Sequence, residues 1–274
     1  MNQLQRSMAT EEDEAFLRTL KNYTEDLMLH DPSRTGIKDE TVFHRIPGFC
    51  ALDNYSIDIM HVILEGICVS DLVELLKLYT SLKYFSVDDL NRRMSNHIWK
   101  HNKPPLIDQK DLNNGKIRMS AAETLEFTKN FGILVGDLVP ENDSAWRVYI
   151  NLRQILDIVL APTIQKDCSH LLKTLAQENH VLAREVLKRN LKPKDHLALH
   201  LPRVMDESGP LIHIWSMRCE AKHQESKMAA NSSNSKLNVC ETIAIKHQLK
   251  LARILYEKKV FVECVKGPFT PLHF

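Results

Sequence analysis

The sequence predicts a mainly α-helical protein, and three observations support this fold class. Only eight glycines and eleven prolines are spread over 274 residues, whereas a sheet sandwich needs a turn about every 8 to 12 residues. Long stretches are rich in Leu, Glu, Lys and Ala, which favour helices. Apolar residues recur in these stretches every three or four positions, as on one face of a helix.

The first elements follow from local signals. Thr10 begins a capping-box pattern that predicts a helix ending by residues 31–32, and residues 32–55 are predicted to be a loop-rich connector. A helical apolar period then covers 56–83. Gly66 is a weak point of that helix because glycine has a low helix propensity.

Further elements are predicted along the rest of the chain. Two capping boxes place helices at 87–100 and 120–136, with a polar loop at 102–116 between them. Later helices are predicted at 143–160, 166–190, 193–205, 215–230 and 237–257, with a loop at 231–235 and a short strand at 260–262. We therefore predict an N-terminal helix and connector at 1–55, a helical domain at 56–206 and C-terminal helices at 207–274.

Composition narrows the class of protein. The formal net charge of +1 gives no basic footprint for a polyanion. The six cysteines contain no CxxC pair, which is typical of reduced thiols. No charged and apolar leader and no run of about 18 apolar residues is present. These features predict a soluble, intracellular protein that does not enter a membrane.

Asp58 and His61 form the sharpest local pattern. Helix positions i and i+3 share a face, so this carboxylate and imidazole can point together at a ligand. Alternatively, Asp58 caps the start of the helix and His61 bonds to it locally, and spacing alone favours this second interpretation. Glu65 lies one turn further along the same face.

Two other groups of residues are candidates for binding a metal. His196 and His200 have the i, i+4 spacing of a metal-binding pair, but the Glu of an HExxH motif is missing, so a structural role is favoured. Glu220 shares a predicted helix face with His223 and Lys227. A face of this kind can bind a divalent ion, but the spacing is also ordinary for a solvated helix.

Two blocks together resemble CACTA-type transposases, the group that includes Mirage and Chapaev elements. Residues 55–66, YSIDIMHVILEG, resemble the Asp-x-x-His motif of that group. His200-Leu-Pro and residues 209–220, GPLIHIWSMRCE, resemble its closing pattern, in which Trp215 precedes the glutamate of the catalytic triad. The resemblance covers about residues 36 to 255.

The resemblance implies an RNase H-like nuclease in which two Asp and one Glu hold a pair of Mg²⁺ or Mn²⁺ ions. Glu220 would be the third acid and a metal ligand, while Asp58, His61 and Trp215 would organise the site. The two leading aspartates belong on strands upstream of Asp58, where 57 residues predict helix and loop instead. Asp53 and Asp58 are possible substitutes for these two aspartates, but the context of neither residue resembles a core strand. The fold is thus expected to be the helical insertion and final catalytic helix, with the core sheet largely missing.

These observations lead to an expected function with two alternatives. The first expectation is a transposase-derived protein or fragment, nuclear and DNA-related by resemblance, whose ancestral activity is metal-dependent DNA cleavage and strand transfer. Such a chain is expected to be inactive alone and to need no cofactor. The alternatives are a non-enzymatic helical protein that binds protein partners and, third, an active nuclease with unorthodox metal ligands.

Overall fold

The computed structural model describes Glu12 and residues 17–233 and 237–257. Every regular element within these residues is a helix, which confirms the mainly α-helical class. The chain divides into two compact units, Met1–Ser216 and Met217–Phe274. The finer division into three segments stays a prediction.

The N-terminal region contains shorter helices than predicted. Helix α1 spans Leu20–Met28 and is capped by the Thr19 side chain, which accepts a hydrogen bond from a backbone N–H of the first turn. The predicted start at Thr10 lies outside the described residues. The predicted connector 32–55 also contains a one-turn helix, α2 (Pro32–Thr35), and a 3₁₀ turn at Val42–Arg45.

The predicted helix at 56–83 is two helical segments in succession. A π-helix spans Met60–Ile67 and leads directly into α3, Cys68–Ser81. The predicted helical run is thus observed from residue 60 to residue 81, but its first part is a π-helix instead of the α-helix that the apolar period indicated. The apolar positions that supported the prediction are nonetheless all buried, and they are Ile59, Ile63, Ile67, Leu72, Leu75, Leu76 and Tyr79.

The two capping-box helices are confirmed. Helix α4 spans Val87–Asn96, and Ser86 and Asp89 form both reciprocal bonds of the box. Helix α6 spans Ala121–Val135 with the equivalent pair at its start, and a 3₁₀ turn follows at Gly136–Leu138. The loop predicted at 102–116 contains a short helix that the sequence analysis missed, α5 at Gln109–Asn113.

The remaining helices of the first unit pack against one another and against the π-helix and α3. Helices α7 (Trp146–Val159) and α8 (Cys168–Glu185) pack against each other. The helix predicted at 193–205 is two helices, α9 (Pro193–Ala198) and α10 (Leu201–Ser208). Helix α9 packs on the π-helix, and α10 packs on α8. Pro202 explains this correction, because it lies in the first turn of α10 and has no N–H to continue a single helix.

The second unit contains a helical pair. Helix α11 spans Met217–Asn231, helix α12 spans Val239–Tyr256, and the two are in contact. Lys250 Nζ lies 2.8 Å from Glu225 Oε2, and hydrogen bonds from Lys250 and Lys222 lower the pKa of Glu225 to about 2. The strand predicted at 260–262 and part of the loop at 231–235 lie outside the described residues.

Two further findings concern membrane-spanning helices and the state of the cysteines. Among the described residues, none of the helices combines the length and apolar character that crossing a membrane requires. The five described cysteines are all free thiols. They are Cys50, Cys68, Cys168, Cys219 and Cys240.

Candidate functional site

Asp58 caps the start of the helical segment that carries His61. Its carboxylate accepts a hydrogen bond from the Met60 N–H at 3.1 Å, and its backbone carbonyl accepts the Val62 N–H at 3.0 Å. His61 Nδ1 forms a short hydrogen bond with the same carboxylate. Of the two interpretations that the spacing allowed, the geometry therefore matches the local cap.

Ser216 adds a long-range connection to this cap. Its backbone N–H donates to Asp58 Oδ1 at 3.0 Å, and its hydroxyl donates to Asp58 Oδ2 in a short hydrogen bond. The Ser216 hydroxyl also lies 3.4 Å from His61 Nδ1. Both oxygens of Asp58 thus accept hydrogen bonds from the π-helix and from the residue directly before α11. We call these three residues, Asp58, His61 and Ser216, the brace.

The electrostatics of the brace favour an ionised carboxylate. Partial burial raises the pKa of Asp58, but hydrogen bonds from Ser216, His61 and Met60 outweigh it, so the pKa lies below 3.8. The His61 side chain is 44% exposed, and its Nε2 atom lies 4.0 Å from Glu65 Oε2. His61 thus contacts both Asp58 and Glu65, as the prediction that the three residues share one face requires.

The brace is not a Ser-His-Asp relay, although it contains those three residue types. In a relay, histidine Nδ1 faces the aspartate and Nε2 takes the proton of the serine. Here the Ser216 hydroxyl donates to the aspartate itself, on the same side as His61 Nδ1. No group in this arrangement removes the hydroxyl proton, so its chemistry is that of a hydrogen-bonded connection.

Close packing holds the π-helix next to α9. A Cβ atom added at Gly66 would lie 2.8 Å from Lys194 Cδ and 3.2 Å from the His61 carbonyl oxygen. Lys194 Nζ donates to the Glu65 carbonyl oxygen at 3.0 Å, which satisfies a backbone acceptor within the π-helix. Gly66 is therefore a site of close approach as well as a residue of low helix propensity.

Trp215 and Glu220 lie on either side of the brace residue Ser216 in the sequence. Glu220 is in the first turn of α11, in the second unit. Its side chain is 43% exposed, and its carboxylate lies 3.9 Å from His223 Nδ1. Trp215 is half-buried and directly precedes Ser216. The predicted shared face of Glu220 and His223 is thus observed on the helix.

The fit of these residues to a divalent ion pair depends on their donor sets. A two-ion site needs several converging carboxylates, with the ions about 4 Å apart. Asp58 already accepts hydrogen bonds on both oxygens, and Glu220 offers one carboxylate beside a histidine. In the part of the chain that the structure describes, no group of three or more His, Cys, Asp or Glu side chains is arranged to hold a metal. The brace as it stands does not fit that role.

The first unit contains a buried ionic cluster that was not predicted from the sequence. Asp71 and Asp195 lie on either side of Arg189, with their carboxylates 2.7 and 2.8 Å from Arg189 Nη2. Asn179 donates to Asp71 at 2.9 Å. Burial raises the pKa of Asp71, and the contact with Arg189 offsets part of that effect. The available signal was the position of Asp71, which lies at helical spacing between the apolar residues Cys68 and Leu75, because an acid on a buried face needs a partner.

A second polar cluster joins Glu12 to the region of α9 and α10. Glu12 Oε1 lies 2.6 Å from His200 Nδ1 and 3.0 Å from Arg203 Nε. Arg203 also donates to the Tyr55 hydroxyl at 2.6 Å. His196 Nε2 and His200 Nε2 are 3.2 Å apart, so the structure brings together the two histidines that the sequence singled out.

No protein family, curated protein or solved structure matches the chain in comparisons with known proteins.

Proposed function

We propose that the chain is a transposase-derived protein of the CACTA type whose ancestral activity is metal-dependent DNA cleavage and strand transfer, and that it does not cleave DNA by itself. The brace is the observation that carries this proposal. Asp58 and His61 lie in the segment that resembles the Asp-x-x-His motif, and Ser216 lies in the segment that resembles the closing pattern. A hydrogen-bonded connection between these two segments is what an organising motif would provide.

The roles of the residues follow from their contacts. Asp58 holds Ser216, the residue directly before α11 in the sequence, through two hydrogen bonds. Glu220, in the first turn of α11, is the proposed third acid. The ions of the ancestral site, Mg²⁺ or Mn²⁺, would activate a water or a 3′ hydroxyl for attack on a phosphodiester. One half-exposed carboxylate does not neutralise two such ions, and this is why we expect no cleavage by the chain alone.

The finer parts of the proposal rest on the resemblance. We assign residues 56–206 to the insertion of an RNase H-like transposase and α11 to its final catalytic helix. DNA is the proposed partner of the ancestral enzyme, and the nucleus is the proposed location.

A plasmid-nicking assay tests this proposal. Purified chain is incubated with supercoiled DNA and either Mg²⁺ or Mn²⁺, with a two-metal nuclease as the positive control. We expect no relaxed or linear product. The proposal would be overturned, and the active nuclease favoured, by metal-dependent product that Glu220→Ala abolishes. The matched control is Glu225→Ala on the same helix, which should leave such product intact.

A second candidate function, a non-enzymatic helical protein that binds another protein, is favoured by the exposed apolar residues of α12. Ile245, Leu249 and Tyr256 are 52%, 65% and 90% exposed, and they share one helix face because they are spaced by four and seven residues. Placing a photocrosslinking residue at position 249 tests this candidate in cells. A defined protein adduct that Ile245→Glu abolishes supports it, and the absence of any adduct contradicts it.

A further inference from the structure

Two histidine side chains meet at the junction of α9 and α10. His196 lies in α9, and His200 directly precedes the first residue of α10. The junction is a turn, in which the Leu199 N–H donates to the His196 carbonyl and the His200 N–H donates to the Leu197 carbonyl. This turn connects the two histidines, whose side chains lie next to each other. Their rings are almost perpendicular, at 89°, with centroids 4.8 Å apart.

The contacts of His200 assign its tautomer. Glu12 Oε1 lies 2.6 Å from His200 Nδ1, and a carboxylate only accepts hydrogen bonds, so Nδ1 carries the proton. In the neutral ring the lone pair is then on Nε2, which faces His196 Nε2 at 3.2 Å. Arg203 donates to the same Glu12 oxygen at 3.0 Å and keeps this carboxylate in place.

The separation of the two nitrogens matches metal coordination. Zinc–imidazole bonds of about 2.0 to 2.1 Å at a tetrahedral angle place two ligating nitrogens about 3.3 Å apart. The contact between the Glu12 carboxylate and His200 Nδ1 is also typical of metal sites, because metal-bound histidines commonly donate their other N–H to a carboxylate. The two observations are independent, since one concerns Nε2 and the other Nδ1.

We propose that His196 and His200 form a binding site for a transition-metal ion of the Zn²⁺ class, with Glu12 as the carboxylate that orients His200. Imidazole nitrogen suits Zn²⁺, Ni²⁺ and Cu²⁺, whereas Mg²⁺ prefers oxygen ligands. The site is therefore chemically distinct from the Mg²⁺ or Mn²⁺ pair of the ancestral nuclease, and it does not depend on the proposed function. Two protein ligands leave the other positions to water, so we expect weaker binding than in a four-ligand structural zinc site.

Metal titration of the full chain tests this site. The chain is first dialysed against a chelator and then titrated with Zn²⁺ by calorimetry and with Co²⁺ by visible absorption, because Co²⁺ spectra separate nitrogen ligands from thiolates. We expect one ion per chain, without a thiolate charge-transfer band. His196→Asn and His200→Asn should each weaken binding at least tenfold, and Glu12→Gln about 10- to 100-fold.

The controls separate this proposal from its competitors. His213→Asn, a histidine whose Nε2 atom instead contacts the Pro162 carbonyl at 2.9 Å, should leave the affinity unchanged. The unfolding temperature of each metal-free variant shows whether it is folded, and Glu12→Gln, which leaves both ligands in place, provides a second readout. Absence of binding by the wild-type chain, or binding that survives His200→Asn, would overturn the proposal.

Discussion

Replacing Asp58 with Asn should destabilise the first unit, because the charge of this carboxylate holds the brace together. The carboxylate accepts hydrogen bonds from Met60, His61 and Ser216. An amide of the same size keeps one carbonyl oxygen as an acceptor but loses the negative charge and the second acceptor. The Ser216 hydroxyl and His61 Nδ1 then compete for weaker partners.

The size of the effect follows from the exposure of the group. Hydrogen bonds to charged groups contribute about 1.5 to 3 kcal/mol each when they are well shielded. The Asp58 side chain is 23% exposed and that of His61 is 44% exposed, so solvent screens part of the interaction. We therefore expect Asp58→Asn to lower the free energy of unfolding by about 1 to 2 kcal/mol and Ser216→Ala by about 1 kcal/mol.

The pH dependence has a defined sign. The folded-state pKa of Asp58 lies below its ordinary value of 3.8, so the ionised carboxylate stabilises the fold above pH 3.8 and this contribution is lost as the pH falls through the folded-state pKa. The difference in unfolding free energy between wild type and Asp58→Asn should be constant from pH 7 to about pH 4 and shrink below it.

Urea unfolding at several pH values measures these differences. Asp53→Asn is the matched control, since Asp53 is an exposed neighbour, and it should change stability by no more than about 0.5 kcal/mol. A double-mutant cycle should give coupling between Asp58 and Ser216 of at least about 0.5 kcal/mol. Equal effects of Asp58→Asn and Asp53→Asn, with no coupling to Ser216, would refute the reasoning.

Two further predictions concern buried polar groups. Arg189→Met leaves two buried aspartates without their cation and should lower the free energy of unfolding in urea by about 3 to 5 kcal/mol. Arg93→Met, which breaks a surface pair, should lower it by at most about 1 kcal/mol. Similar losses for both variants would contradict this view of the buried cluster. Tyr149→Phe removes a hydroxyl that accepts the Gly132 N–H at 2.9 Å and donates to the Thr128 carbonyl at 3.2 Å, and should cost about 1 to 3 kcal/mol. Hydrogen exchange at the Gly132 amide should accelerate, and unchanged exchange would argue against the prediction.

The helices that were best predicted begin with local signals. The box of Ser86 and Asp89 lies within four residues, so its reciprocal hydrogen bonds need no information from elsewhere in the chain. The π-helix at Met60–Ile67 was not predictable in this way. Its apolar positions are compatible with an α-helical period, and its close contact at Gly66 involves Lys194, which is distant in the sequence.

In the candidate site, too, contacts between residues near in sequence were predictable and contacts between distant residues were not. The bond between Asp58 and His61 follows from i, i+3 spacing on a helix. The contact with Ser216 spans 158 positions, and nothing in the residue pattern pairs a serine there with a particular acid. The partner of Asp71 was unpredictable for a similar reason, because Arg189 lies between helices and is brought to α3 by packing.

The most direct test of the central claim is whether Asp58 serves as a hydrogen-bonded brace or as a metal ligand. Backbone amide signals of Met60 and Ser216, whose N–H groups donate to the Asp58 carboxylate, are recorded by NMR during Mn²⁺ titration of wild type and Asp58→Asn. The brace predicts the same paramagnetic broadening of these signals in both proteins. Strong broadening in the wild type that Asp58→Asn abolishes would show Mn²⁺ bound at Asp58 and contradict the account.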